Sequence, residues 1–180
     1  IVEGIDIDGC TNTDTVLLSV VSSVSMNPSP SSPSVCEGDS VLINITGTAT
    51  NYSWHPSIDV HVINPGVFLV SPNDTTVYEI IGSDNIGCID TISIQINILP
   101  KPTISVTDNS TLCIGNSNTL VAYGANDYNW YPSLNLSDTN GSFVIASPDL
   151  TTTYYVIGTN NYGCKDTVST TISVMQNPVL

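Results

Sequence analysis

Gly87-Cys88-Ile89-Asp90-Thr91-Ile92-Ser93-Ile94-Gln95-Ile96-Asn97-Ile98 decides how this chain folds. Ile92, Ile94, Ile96 and Ile98 alternate with Thr91, Ser93, Gln95 and Asn97. A period of two is what a strand presents when one face is buried and the other meets water. The stretch returns as Gly163-Cys164-Lys165-Asp166-Thr167, after which Val168, Thr170, Ile172 and Val174 alternate with Ser169, Thr171 and Ser173. The offset is 76 residues.

Other segments return in the same order at 76 or 77 residues. Cys36-Glu37-Gly38 becomes Cys113-Ile114-Gly115. Asn51-Tyr52-Ser53-Trp54-His55-Pro56-Ser57 becomes Asp127-Tyr128-Asn129-Trp130-Tyr131-Pro132-Ser133. The run from Ser71-Pro72 to Tyr78 becomes Ser147-Pro148 to Tyr154. Matches in one order at one spacing mark an internal repeat. A third, incomplete copy leads the chain: Gly4 to Cys10 matches Gly82 to Cys88, and Asp14-Thr15-Val16 matches Asp90-Thr91-Ile92. Residues 1–26 thus read as the last two strands of a preceding repeat, 27–100 as one repeat and 101–180 as the next. Asn27-Pro28-Ser29-Pro30 and Leu99-Pro100-Lys101-Pro102 are the expected boundaries, because proline stops strand pairing and stiffens a linker. A start at Ile1 without a signal peptide reads as a mature product or an interior piece. The missing strands of the first copy are expected upstream or from another molecule.

Val41, Ile43 and Ile45 also alternate, and Asp84-Asn85-Ile86-Gly87 and Asn160-Asn161-Tyr162-Gly163 read as hairpin turns. No helical period is present. The expectation is an all-β chain of tandem immunoglobulin-like sandwiches of about 77 residues, about seven strands each. Trp54 and Trp130 are expected as core anchors, with Tyr78 and Tyr154 also facing inward.

Composition narrows function. The chain has 2 Lys, no Arg and 16 Asp plus Glu, for a net charge of −14. Nucleic-acid binding needs clustered cations, and anionic lipid repels such a chain. No apolar run reaches the about 18 residues of a membrane span. Hydrophobic residues make up 41%, enough for packed cores. No Gly-x-Ser-x-Gly elbow and no recurring carboxylate pair occurs, so no catalytic residue is assigned and no enzyme is expected. His55 and His61 fall outside zinc spacing with the cysteines. No cofactor is expected. Ca²⁺ is the one exception weighed, since Asp6, Asp8 and Asp84 lie at hairpins, but no EF-hand spacing is present and the second repeat has Asn160 and Asn161 there.

The five cysteines are Cys10, Cys36, Cys88, Cys113 and Cys164. None forms a Cys-x-x-Cys pair, so disulfides in an oxidising compartment are the first reading. The simplest scheme pairs Cys36 with Cys88 and Cys113 with Cys164, leaving the partner of Cys10 outside the chain. Against it, in an immunoglobulin strand order Cys36 precedes the second strand while Cys88 lies at the hairpin before the last, at opposite ends of a sandwich. A second scheme joins neighbouring repeats through Cys36–Cys164. Free thiols are the third.

Cys-x-Gly before a strand, Tyr-x-Trp-x-Pro, Ser-Pro-x-x-Thr-Thr-x-Tyr and Gly-Cys-x-Asp-Thr together resemble the immunoglobulin-like and PKD-like repeats of Bacteroidetes surface adhesins. Those include gliding adhesins exported by type IX secretion. The resemblance covers nearly the whole chain. It implies extracellular, cell-surface stalks or fibres without catalytic residues. Repeats of that family also occur singly, which favours the within-repeat disulfides. Asp14-Thr15-Val16, Asp90-Thr91-Ile92 and Asp166-Thr167-Val168 resemble the O-glycosylation motif of exported proteins of that group, making Thr15, Thr91 and Thr167 candidate glycan carriers. Asn44, Asn51, Asn73, Asn109, Asn135 and Asn140 open formal N-glycosylation sequons. The implied function is a structural or adhesive repeat segment whose partners are neighbouring repeats of a long chain or fibre, with surface glycans or other cells as further candidates. The alternatives are a carbohydrate-binding module, using Tyr131, Tyr155 and Tyr162, and a fibre subunit assembled by strand addition through residues 1–26.

Overall fold

The computed structural model describes residues 1–17, 19–20 and 22–176. Within them every regular element is a strand. A short hairpin of β1 (Val2–Ile5) and β2 (Thr11–Asp14) comes first, and all of residues 1–17 are exposed.

The first sandwich has eight strands: β3 (Met26–Ser29), β4 (Ser34–Cys36), β5 (Val41–Gly47), β6 (Asn51–His55), β7 (Val60–Asn64), β8 (Val67–Val70), β9 (Thr76–Ser83) and β10 (Ile89–Leu99). Its sheets run β3-β5-β8-β7 and β4-β10-β9-β6. The second sandwich has seven: β11 (Ser105–Val106), β12 (Ser110–Cys113), β13 (Asn118–Tyr123), β14 (Asp127–Tyr131), β15 (Phe143–Ala146), β16 (Thr152–Thr159) and β17 (Lys165–Met175). Its sheets run β11-β13-β15 and β12-β17-β16-β14. Between β14 and β15 a loop replaces the extra strand, held by the bridges Asn129–Asn140 and Leu136–Ala146.

In both sandwiches the opening strand is split between the sheets. β3 lies antiparallel to β5, whereas β4 lies parallel to the end of β10. β11 and β12 repeat this with β13 and β17. Each sandwich has its own core. The first packs Ile43, Ile45, Phe68 and Val70 against Trp54, Tyr78, Ile80, Ile94 and Ile96. The second packs Leu120, Ala122, Val144 and Ala146 against Trp130, Tyr154, Val156 and Ile172. Two small cores rather than one large one are what alternating strands of this length can close.

The first expected boundary is corrected. Val24 and Met26 belong to the first core, and Pro28 lies inside β3, opposite Ile45. β3 is an edge strand, so the missing N–H of Pro28 costs no ladder bond. Gly47 and Gly124, at φ 144° and 95°, let the entering chain cross this close: a Cβ would strike the Ser25 or Thr103 carbonyl.

Candidate functional site: the bridged junction

The chemistry of this chain concentrates where the sandwiches meet. Cys36 ends β4 opposite Leu99, the last residue of β10. The Glu37 N–H donates to the Leu99 carbonyl at 2.9 Å, and the Asp39 N–H donates to the Cys36 carbonyl at 2.9 Å. The chain then leaves through Pro100-Lys101-Pro102. The β16–β17 hairpin of the second sandwich returns to the same place. There Asn160 Oδ1 accepts the N–H groups of Tyr162 and Cys164, each at 3.0 Å. Its Nδ2 donates to the Pro100 carbonyl at 2.7 Å. Cys164 is buried and bonded to Cys36, with 5.5 Å between the Cα atoms.

This corrects the within-repeat pairing. Cys36 and Cys88 sit at opposite ends of β10, whose 11 residues span about 33 Å at about 3.3 Å per residue. A disulfide needs Cα atoms within about 7 Å. Cys113 and Cys164 are separated by β17 in the same way. The between-repeat bridge Cys36–Cys164 forms instead. Cys10 and Cys113 are exposed free thiols, and Cys88 is a half-buried one.

The same hairpin turn occurs three times. Asp6 Oδ1 accepts from the N–H groups of Asp8 and Cys10 at 3.0 and 2.9 Å, and Asp84 Oδ1 from those of Ile86 and Cys88 at 3.0 and 2.9 Å. Asn160 does this job without a charge, so these Asp oxygens act as turn caps. Asp8 is exposed. Among the described residues no three His, Cys, Asp or Glu side chains converge on a metal position.

Trp54, Trp130, Tyr78 and Tyr154 all lie in the cores. Trp54 packs on Phe68 and Tyr78, with ring centroids 5.0 and 5.6 Å away. Trp130 Nε1 donates to the Gly141 carbonyl at 2.9 Å, and the Tyr154 hydroxyl donates to the Leu134 carbonyl at 3.1 Å. The corresponding Trp54 Nε1 and Tyr78 hydroxyl have no partner among the described residues. Burial raises the phenol pKa of Tyr78, and the Asp59 charge adds to it. Burial also raises that of Tyr154, against a smaller lowering by Thr152.

Thr15, Thr91 and Thr167 are exposed, and each backbone N–H donates to the preceding Asp carboxylate at 2.8 Å. Tyr131 and Tyr155 are cross-strand partners with stacked rings, centroids 5.2 Å apart and planes at 11°. Tyr162 sits apart from them in the β16–β17 hairpin, exposed.

The Ser-Pro-x-x-Thr-Thr motif carries structural roles that sequence reading left unassigned. Thr75 and Thr151 hydroxyls accept from the Ile98 and Val174 N–H groups at 2.9 and 3.0 Å, clamping the ends of β10 and β17. Tyr52 and Tyr128 donate to the Ala49 and Ala125 carbonyls, both at 3.0 Å, closing the corner before β6 and β14. Their recurrence at one offset was the available signal. Among the described residues no helix is long and apolar enough to cross a membrane.

Residues 100–178 match the family model described as Ig-like domain CHU_C associated. No curated protein matches the chain. Similar solved structures include Sidekick-1 immunoglobulin domains 1–5, at 13% identity over 86% of this chain and 40% of that one, TM-score 0.41. This chain therefore spans about two fifths of that structure's length. Murine CEACAM1b matches at 16% identity over 84% of this chain and all of that one, TM-score 0.36. The insect immune protein hemolin matches at 16% identity over 84% and 47%, TM-score 0.40. The fold is all-β and immunoglobulin-like, and the second sandwich carries the family match.

Proposed function

We propose that this chain is a non-catalytic structural or adhesive segment of an extracellular array, a stalk or fibre on a bacterial surface. The observation that carries the reading is the Cys36–Cys164 bridge. A disulfide of this kind persists outside the reducing cytosol. It spans the boundary between sandwiches, so its effect is to hold two modules in one orientation, the requirement of a stiff cable. The partners in this reading are the neighbouring repeats themselves. Placement among Bacteroidetes gliding-type adhesins, with type IX export and O-glycans on Thr15, Thr91 and Thr167, rests on motif resemblance. Exposure of the three threonines supports the last point. Antibodies against residues 27–176 should label intact, unpermeabilised source cells. Signal only after lysis, with the protein in the cytosolic fraction, overturns the reading.

One observation favours a second reading, carbohydrate binding by the second sandwich. Tyr131 and Tyr155 are 41% and 40% exposed, and they form the aromatic stack described above on the outer face of their sheet. The first sandwich has His55 opposite Glu79 at the same register. A glycan array probed with the chain and with Tyr131→Ala separates the readings: selective binding lost in the variant supports the module.

A further inference from the structure

In the second sandwich the chain after β14 doubles back along the open edge of that strand, antiparallel, with Asn140 opposite Asn129. Three groups of β14 are satisfied there. The Trp130 N–H donates to the Thr139 carbonyl at 2.7 Å, and the Gly141 N–H donates to the Tyr128 carbonyl at 3.3 Å. The Trp130 indole N–H donates to the Gly141 carbonyl at 2.9 Å. Gly141 holds φ at 98°, a backbone conformation that a side chain would strain.

In the first sandwich the same three groups are open. Trp54 and Tyr52 stand in the same register against β9 as Trp130 and Tyr128 against β16, so the Trp54 N–H and Tyr52 carbonyl also point away from the neighbouring strand. β6 is the last strand of its sheet, and no strand lies beside them. The Trp54 indole N–H is buried without a partner among the described residues, in a side chain only 9% exposed. The cause is the path of the following chain. Leu136 bridges to Ala146 as Val60 pairs with Val70. From there the second sandwich sends its chain across to β14, whereas the first keeps β7 beside β8 as far as Asn64. Val62, opposite the buried Phe68, is left 70% exposed. A cleft of about 220 Å³ lined by Tyr52, Val62, Pro65 and Phe68 opens beside the start of β6.

We propose that the β6 edge is a docking site for an extended peptide segment of a partner protein, which adds as a strand and repeats the bonds that Thr139-Asn140-Gly141 make in the second sandwich. The recognised chemistry is a carbonyl for the Trp54 N–H and, two residues on, a glycine. Its N–H meets the Tyr52 carbonyl, and its carbonyl takes the indole N–H. The indole donor is already out of water, so this bond forms without a desolvation cost on the protein side. Because the added strand is antiparallel, residues after the glycine run toward the start of β6, where the cleft takes an apolar side chain. The inference concerns this edge alone and stands apart from the stalk and glycan readings.

The probe is a synthetic, end-blocked peptide of Ser137–Phe143, titrated into the isotope-labelled whole chain with salt to screen the charge of −14. Nuclear magnetic resonance follows the two indole N–H signals, assigned from Trp54→Phe and Trp130→Phe. The Trp54 signal should move saturably, and the Trp130 signal should stay in place. Two altered peptides leave the protein untouched. Valine in place of the glycine resists the positive φ, and N-methylation of the glycine removes the N–H for the Tyr52 carbonyl. Each should bind at least about tenfold more weakly. A Trp54 signal that does not move up to the solubility limit of the peptide, equal binding of all three peptides, or parallel movement of the Trp130 signal overturns the proposal. So does a Trp54 signal that shifts with protein concentration alone, which would make a second copy the occupant of the edge.

Discussion

At the level of single residues, the two sandwiches make a paired comparison, because the same side chains are satisfied in one and not in the other. The Trp130 indole N–H is bonded to the Gly141 carbonyl, while that of Trp54 is buried without a partner among the described residues. Replacing Trp130 by Phe leaves a carbonyl unpaired, whereas replacing Trp54 by Phe also removes an unpaired donor. Trp130→Phe should therefore cost about 1 kcal/mol more than Trp54→Phe, read from urea unfolding followed by circular dichroism. Equal losses would mean that the hydrogen bond contributes nothing net. Tyr78 and Tyr154 supply a pH dependence. Their folded phenols hold protons above the ordinary pKa of 10.0, because burial penalises the anion. Below the unfolded value both states are protonated and this contribution is intact. As pH rises past it, the unfolded chain sheds protons that the folded chain keeps, so stability falls. Thermal scans should show a Tm that declines above pH about 10, less steeply in Tyr154→Phe. A Tyr154→Phe profile parallel to wild type would remove Tyr154 from the account.

Among the elements, the capped hairpin is the most repeated device. A carboxylate in two copies and an amide in the third make the same two bonds, so an acceptor oxygen rather than a charge is required. Asp84→Asn should leave the first sandwich's stability unchanged, with or without added Ca²⁺, and Asp84→Ala should cost about 1 kcal/mol. Thermal stabilisation of the wild type by Ca²⁺, absent in Asp84→Asn, would revive a metal role. The strands themselves were legible because their buried faces obey a period of two, as Ile94 and Ile96 in β10 do. The start of the first sandwich was not, because Pro28 reads as a linker unless one knows that β3 is an edge strand and that the Pro28 position, opposite Ile45, faces away from β5. The loop from Tyr131 to Gly141 hid the difference in strand number, since Tyr131-Pro132-Ser133 and His55-Pro56-Ser57 look alike. Of the junction, the participating cysteines were legible and their pairing was not. Spacing along the chain places Cys36 near Cys88, but the parallel pairing of β4 with the far end of β10 places it beside Leu99 and the next module.

For the whole molecule, that placement makes one bridge act on two cores. The first sandwich holds Cys36 against Leu99, the residue from which the chain departs toward the second. If the second sandwich unfolds alone, the bridge closes a loop from Leu99 to Cys164, 65 residues apart. If the first unfolds alone, Cys164 stays fixed beside Leu99 and Pro100 by the second sandwich's hairpin, and the loop runs from Cys36 to Leu99, a similar length. Closing a loop of this size lowers the entropy of the unfolded segment by an amount equivalent to up to about 4 kcal/mol. Cys36→Ser should therefore lower the unfolding transitions of both sandwiches, although the substitution lies in only one. Cys113→Ser, at an exposed and unbonded thiol, should lower neither. Calorimetry of the two variants against wild type, with and without reductant, provides the measurement: reductant should bring the wild type down to the Cys36→Ser profile. A loss confined to the first sandwich would mean that the bridge only decorates the surface of one module, and the coupling between modules would have to reside in Pro100-Lys101-Pro102 alone.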